Sequence, residues 1–149
     1  MFIRGKCKMK KLLLMFGIVA ALMTGCKKSV SAVEGEWKIL YFEIDGVAQE
    51  ICSATLNVER SGLSRFAING NSGVNNYFGT AKIKGNSFAV SDNLASTKMA
   101  GEPKAMEFED NFMEALAGST EIEFSEENGT VLMTLKNGEG SSKITFIRN

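Results

Sequence analysis

The feature that most limits what this chain can fold into is a change of period. From Gly35 onward, short stretches of alternating apolar and polar residues are cut by Asp45-Gly46, Ser61-Gly62, Gly70-Asn71-Ser72-Gly73, Lys84-Gly85-Asn86, Glu127-Asn128-Gly129 and Asn137-Gly138-Glu139-Gly140. Period-two alternation bounded by such turn residues reads as antiparallel strands joined by hairpins. The expected strands cover residues 36–44, 55–59, 65–69, 76–84, 87–91, 121–124, 130–136 and 143–148. In the first of them Trp37, Ile39 and Tyr41 share one face and Leu40, Phe42 and Ile44 the other, which predicts cover on both sides. The period switches once. Pro103 suits the first turn of a helix, and Ala105, Phe108, Phe112, Met113 and Leu116 recur at three- and four-residue spacing up to Gly118. A helix of that length is marginal in water, so its apolar stripe must be buried on the sheet. The expected fold class is α+β, mainly β: an antiparallel curved sheet or open barrel with one amphipathic helix packed against it.

The first 25 residues read differently. Arg4, Lys6, Lys8, Lys10 and Lys11 precede an uncharged apolar run from Leu12 to Leu22, which ends at Met23-Thr24-Gly25-Cys26. A basic start, a short apolar stretch and small residues before a cleavage point mark a secretory signal. The run is shorter than the roughly 20 apolar residues a bilayer span needs. Met9 followed by Lys10-Lys11 would by itself begin a complete signal, so either start gives the same mature chain. The expected organisation is a signal over 1–25, a polar tether over 26–34 and one domain over 35–149. Removal of the signal takes five basic residues and no acid, leaving 12 basic against 17 acidic side chains, a charge near −5. That balance argues against a nucleic-acid surface, which needs a basic face. The remaining 124 residues suffice for one domain with a real core.

Met23-Thr24-Gly25-Cys26 resembles the lipobox of bacterial lipoproteins. The resemblance implies cleavage before Cys26 and attachment of a diacylglyceryl group to its sulfur as a thioether, so the expected partner is a membrane, reached through a lipid anchor. Several acyl chains, at about 0.8 kcal/mol per buried methylene, would make anchoring effectively permanent. With Cys7 removed and Cys26 acylated, Cys52 is left as a small buried hydrophobe with no disulfide to lean on. Lys27 and Lys28 follow the acylated position, and no acidic sorting tag is visible. The expected location is the outer membrane, facing the periplasm.

Within the domain, Gly35-Glu36-Trp37, Gly73-Val74-Asn75-Asn76-Tyr77-Phe78-Gly79 and Thr97-Lys98-Met99-Ala100-Gly101 resemble the motifs of the META-domain (HslJ-like) family of bacterial lipoproteins. The likeness spans Gly35 to Asn149. It implies an envelope protein with a role in stress tolerance or envelope maintenance, and makes Trp37, Gly73, Asn75, Tyr77, Gly79, Thr97 and Met99 the family-motif residues. Their expected role is mainly structural. Gly73 and Gly79 permit positive φ or close backbone approach, Asn75 bonds local backbone, and Thr97 satisfies a buried group. The family's two usual cysteines are replaced by Val74 and Gly101. Their paired loss suggests that the two positions are neighbours in space, which relatives can bridge.

The chemistry-bearing residues point away from catalysis. His is absent, so no imidazole base or ligand exists. Glu107, Glu109, Asp110 and Glu114 read as the solvated face of the helix, and Glu121 and Glu123 as the outer face of a strand. Gly70-Asn71-Ser72-Gly73 lacks the lysine of a phosphate loop. No metal and no cofactor are expected. The leading reading is a non-catalytic envelope domain that binds other envelope proteins or has a structural role. The alternative is a barrel that holds a small apolar ligand among Trp37, Tyr41, Phe42, Phe66, Tyr77, Phe78, Phe88, Phe108 and Phe112, recognised by an enclosed cavity of about 300 Å³ or more.

Overall fold

A computed structural model describes residues 32–148. The signal, Cys7, the acylation candidate Cys26 and most of the tether lie outside this range. Ten strands and one helix follow in the order β1 (Gly35–Ile44), β2 (Val47–Ala48), β3 (Thr55–Arg60), β4 (Arg65–Asn71), β5 (Asn76–Lys84), β6 (Ser87–Val90), β7 (Ala95–Ser96), α1 (Pro103–Gly118), β8 (Glu121–Glu127), β9 (Thr130–Lys136) and β10 (Ser142–Arg148). β2 and β7 are missing from the sequence reading because two residues are too few to show a period. The strands pair antiparallel in the order β10-β9-β8-β6-β5-β4-β3-β1-β2, and β1 also pairs with β10. The sheet is therefore curved and ring-like, with one helix packed on it, as the periodicity predicts.

The two apolar faces of β1 have a different cause from the double cover the alternation suggests. Ile39 is opposite Phe146 and Tyr41 opposite Thr145, so the ladder against β10 slips by one residue at Leu40. A bulge of this kind reverses which side chains point inward. Before it, Trp37 is enclosed; after it, Phe42 is enclosed, while Leu40 remains 44% exposed. One strand thus supplies an odd-numbered and an even-numbered residue to the same core.

The interior is filled by Trp37, Phe42, Phe66, Phe112, Phe146, Leu56, Leu116, Met133, Leu135 and Ile144. Phe112 of the helix meets Phe108, Phe146 and Tyr77, with ring centroids 5.9 to 6.4 Å apart. Burial of a side chain of this size contributes about 2–3 kcal/mol. The helix starts at Pro103 without a side-chain cap and ends where Ser119 N donates to the Leu116 carbonyl. It packs against β6 and β10. This position matters because the ring is thinnest between β6 and β8. Ser87 and Glu121 are the sole residue pair there, supported by Phe88 N to Thr120 O at 3.0 Å and Ile122 N to Asn86 O at 2.8 Å.

At the start of the described chain, Val33 is buried and its carbonyl accepts from the Trp37 indole at 2.9 Å. The Arg148 guanidinium lies 4.6 Å from the Trp37 ring centre and donates to the carbonyls of Ala32 and Glu34. Cys52 is buried and disulfide-bonded, a correction to its reading as a thiol without a disulfide. Its partner lies outside the described residues. The other two cysteines of the chain, Cys7 and Cys26, both lie outside the described residues.

Candidate functional site

The loop between β4 and β5 gathers the polar residues of the fold. Gly73 sits at φ +114°, a conformation that favours glycine, and its N–H donates to Asn71 Oδ1 at 2.9 Å. A Cβ there would lie 3.1 Å from Phe108 Cδ1, so the missing side chain lets the helix approach the loop. That approach brings Glu109 of the helix onto Asn75. Its Oε1 accepts from Asn75 N and its Oε2 from Asn75 Nδ2, both at 2.8 Å, and Oε1 also contacts the Ser72 hydroxyl.

The Asn75 side chain meets its full hydrogen-bonding capacity. Its Oδ1 accepts from Thr97 Oγ1 at 2.8 Å and from Met99 N at 2.7 Å. Its Nδ2 donates to Glu109 and, at 3.2 Å, to the Met99 carbonyl. Thr97 Oγ1 in turn accepts from Asn76 N at 3.1 Å, and the Ser72 hydroxyl and N–H both reach the Asn75 carbonyl, at 2.9 and 2.8 Å. One buried amide therefore ties together the β4–β5 loop, the segment before the helix and the helix itself. Among the described residues no buried side-chain nitrogen or oxygen lacks a partner.

Four of the family-motif residues, Gly73, Asn75, Thr97 and Met99, meet in this cluster. The others lie apart. Tyr77 points into the core and its hydroxyl donates to the Thr55 carbonyl at 2.6 Å. Burial pushes its phenol far above the ordinary value of 10.0. A Cβ on Gly70 would fall 2.1 Å from that same Thr55 oxygen, so β4 passes β3 there only as glycine. Gly79 lets Leu94 approach, with a hypothetical Cβ 3.2 Å from the Leu94 Cα. Trp37 belongs to the opposite end of the ring, beside Arg148.

Two members of the cluster, Ser72 and Glu109, are not among the site residues that the sequence singles out. Glu109 is 7% exposed, which corrects its placement on the solvated helix face. The signal was present: Glu109 is four residues after Ala105 and three before Phe112, both buried, so it occupies a core-facing position of the helical stripe. Glu107, Asp110 and Glu114 are exposed, and Glu121 and Glu123 alternate with the inward Ile122 and Phe124.

Val74 and Gly101 are neighbours. A Cβ on Gly101 would lie 3.4 Å from Val74 Cβ and 2.6 Å from its Cγ2. The first distance is close to the Cβ separation of a disulfide, about 3.5–4.5 Å. The second says that the Val74 methyls fill the space a side chain at 101 would take.

The aromatics proposed as a cavity lining pack on one another, as with Phe42 and Phe108 edge to face at 6.0 Å. Phe78 is 59% exposed, and Tyr41 is partly exposed, its hydroxyl donating to Glu43 at 2.8 Å. That hydrogen bond raises the Tyr41 phenol. A half-open cleft of about 280 Å³ lies beside the first turn of the helix, where Phe42 and Phe108 are joined by Gln49, Glu50, Lys104 and Glu107. Its wall is mostly polar. Among the described residues no three acidic or thiol side chains are grouped as metal ligands, and no helix is long and apolar enough to cross a membrane.

Residues 31–149 match the META domain family. The fold is also that of a protein from Burkholderia xenovorans solved by NMR, with a TM-score of 0.70 at 19% identity over 90% of this chain and 95% of that one. At that identity the likeness concerns fold alone. No curated protein sequence matches the chain.

Proposed function

The chain belongs to the META-domain family, and on that footing we propose that it is a lipid-anchored envelope protein whose domain has a non-catalytic role, structural or in protein interaction, in envelope maintenance or stress tolerance. Family membership supports the envelope association. The observation that carries the anchoring is the order of the first 26 residues: basic, then Leu12 to Leu22, then Met23-Thr24-Gly25-Cys26. The polar cluster supports a non-catalytic role. Ser72, Thr97 and Glu109 are the alcohol and carboxyl groups an enzyme would bring together, and here each is spent on the loop, the helix and Asn75.

Mass spectrometry of the chain from membrane fractions tests the reading. The first peptide is expected to begin at Cys26 and to carry the mass of a diacylglyceryl thioether. Cys26→Ser is expected to move the protein into the soluble fraction. A sulfur that carries an acyl group cannot also sit in a disulfide, so an unmodified Cys26, or one joined to Cys52, refutes the anchor. Protease added to intact cells is expected to leave the domain whole; its release would refute the periplasmic facing.

A further inference from the structure

The turn from Ser61 to Ser64 joins β3 to β4 and carries Leu63, which is 99% exposed. A single exposed leucine is ordinary on a protein surface. This one has three unusual companions. First, it is held in place rather than left to sway: Ser61 N donates to Arg65 O at 2.9 Å, Arg60 Nη1 to Leu63 O at 3.2 Å, and Ile83 N to Ser64 O at 2.9 Å. Second, it adjoins a basic face. Arg65 is directly opposite Lys82 on the outer surface of the β4–β5 ladder, with Lys84 two residues further on. Like charges opposite one another destabilise a ladder, and among the described residues none of the three forms an ion pair. Of the nearby acids, Glu34 pairs with Arg60 at 3.6 Å, and Glu59, which accepts from Asn57 at 2.9 Å, keeps its charge.

Third, the turn lies at the end where the chain leaves the described domain. Arg60 links the tip to Glu34, while Arg148 holds the carbonyls of Ala32 and Glu34. Six Cα steps separate Ala32 from Cys26, a covalent reach of about 20 Å. An acylated Cys26 would therefore hold this end of the ring close to the bilayer. The tether's own Lys27 and Lys28 would add to the attraction of an anionic surface. Further round the same end, Glu126 and Glu127 close the β8–β9 turn, so the basic character is confined to the β3–β6 side.

We propose that the Ser61–Ser64 tip and the basic face of Arg65, Lys82 and Lys84 dock on the anionic bilayer that holds Cys26, seating Leu63 at the boundary between headgroups and acyl chains. The proposal rests on the anchoring reading and adds to it an orientation: the domain lies with its β3–β4 turn down and its helix up. An apolar side chain on a fixed turn beside a basic face suits an interface whose outer layer is anionic and whose inner layer is hydrocarbon.

The test uses the full-length chain purified from membranes and returned to vesicles of phosphatidylcholine and phosphatidylglycerol, with bromine on the acyl chains as a quencher. Leu63→Trp places a reporter at an open position, while the native Trp37 is enclosed and supplies a constant background. Emission added by residue 63 is expected to be quenched about twofold or more in these vesicles. Quenching is expected to disappear in pure phosphatidylcholine, and when Arg65→Glu and Lys82→Glu are combined. That pair keeps like charges opposite one another and so leaves the ladder's balance unchanged. Unquenched emission from a chain that floats with the vesicles overturns the docking surface and leaves the anchor standing. A chain that does not float, with an unmodified Cys26, overturns both. Emission shielded by envelope proteins but not by lipid would assign the tip to a protein partner and also overturn the proposal.

Discussion

At the end of the ring where β4 leads into β5, the core is closed by directional hydrogen bonds; where β3 turns into β4, it is closed by guanidinium groups lying over aromatic rings. At the first end Asn75 and Glu109 fix the helix to the loop with every donor matched. At the second, Arg60 covers Phe66 at 4.9 Å and Arg148 covers Trp37 at 4.6 Å, with the charged heads still in water. A satisfied buried network is rigid and fails steeply when one member is lost. A cation over a ring keeps its sealing contact while leaving charge on the surface. The difference separates an end built for permanence from one able to meet something outside the molecule.

The sharpest way to break this comparison is at Glu109. Glu109→Ala strands Asn75 N in the interior and takes from Asn75 Nδ2 and the Ser72 hydroxyl one of their two acceptors, at an expected cost of about 3 kcal/mol in urea unfolding. Glu109→Gln is expected to recover little, because an amide set as Oε1 is would turn its NH2 toward Asn75 Nδ2. A cost below about 1 kcal/mol for the alanine variant would mean the cluster does not hold the helix.

Tyr77, beside the same end, gives a smaller effect with a pH signature. Loss of its bond to the Thr55 carbonyl in Tyr77→Phe is expected to cost about 1 kcal/mol at neutral pH. In the unfolded chain the phenol titrates near 10, while in the fold burial holds it protonated well beyond that. The folded state therefore binds more protons in the alkaline range. This contribution is intact below pH 10 and is lost as pH rises above it. Alkaline unfolding monitored by circular dichroism is expected to start at higher pH in the Phe variant; an unchanged midpoint would contradict the burial of the hydroxyl. Tyr41, raised by its bond to Glu43 but solvent-facing, adds little.

The smallest effect has the opposite sign and sits at the other end. Arg65→Glu replaces a like-charge pair with an ion pair across the β4–β5 ladder, and is expected to stabilise the domain by about 0.5 kcal/mol. A destabilised variant would show that Arg65 already serves the fold.

Sequence reading found the strands and the helix because both signals are local: turn residues at fixed spacing and one switch of period. It found the helix bounds, Pro103 and Gly118, for the same reason. It missed the bulge at Leu40, which is decided by pairing with β10 more than a hundred residues away. It also named Asn75 and Thr97 through family likeness without naming what they bind. Glu109 was misplaced because acidity was weighed above position, although its spacing from Ala105 and Phe112 put it on the inward stripe. Leu63 reads as an unremarkable turn residue until its neighbours across the sheet are known.

The single residue pair between β6 and β8 leaves most of both strand edges without a ladder. Unpaired edges are templates on which further chains can add. The helix packs on β6, one of the two strands, and the Glu109 cluster pins that helix. Loosening the polar cluster would thereby loosen the strand that borders this gap.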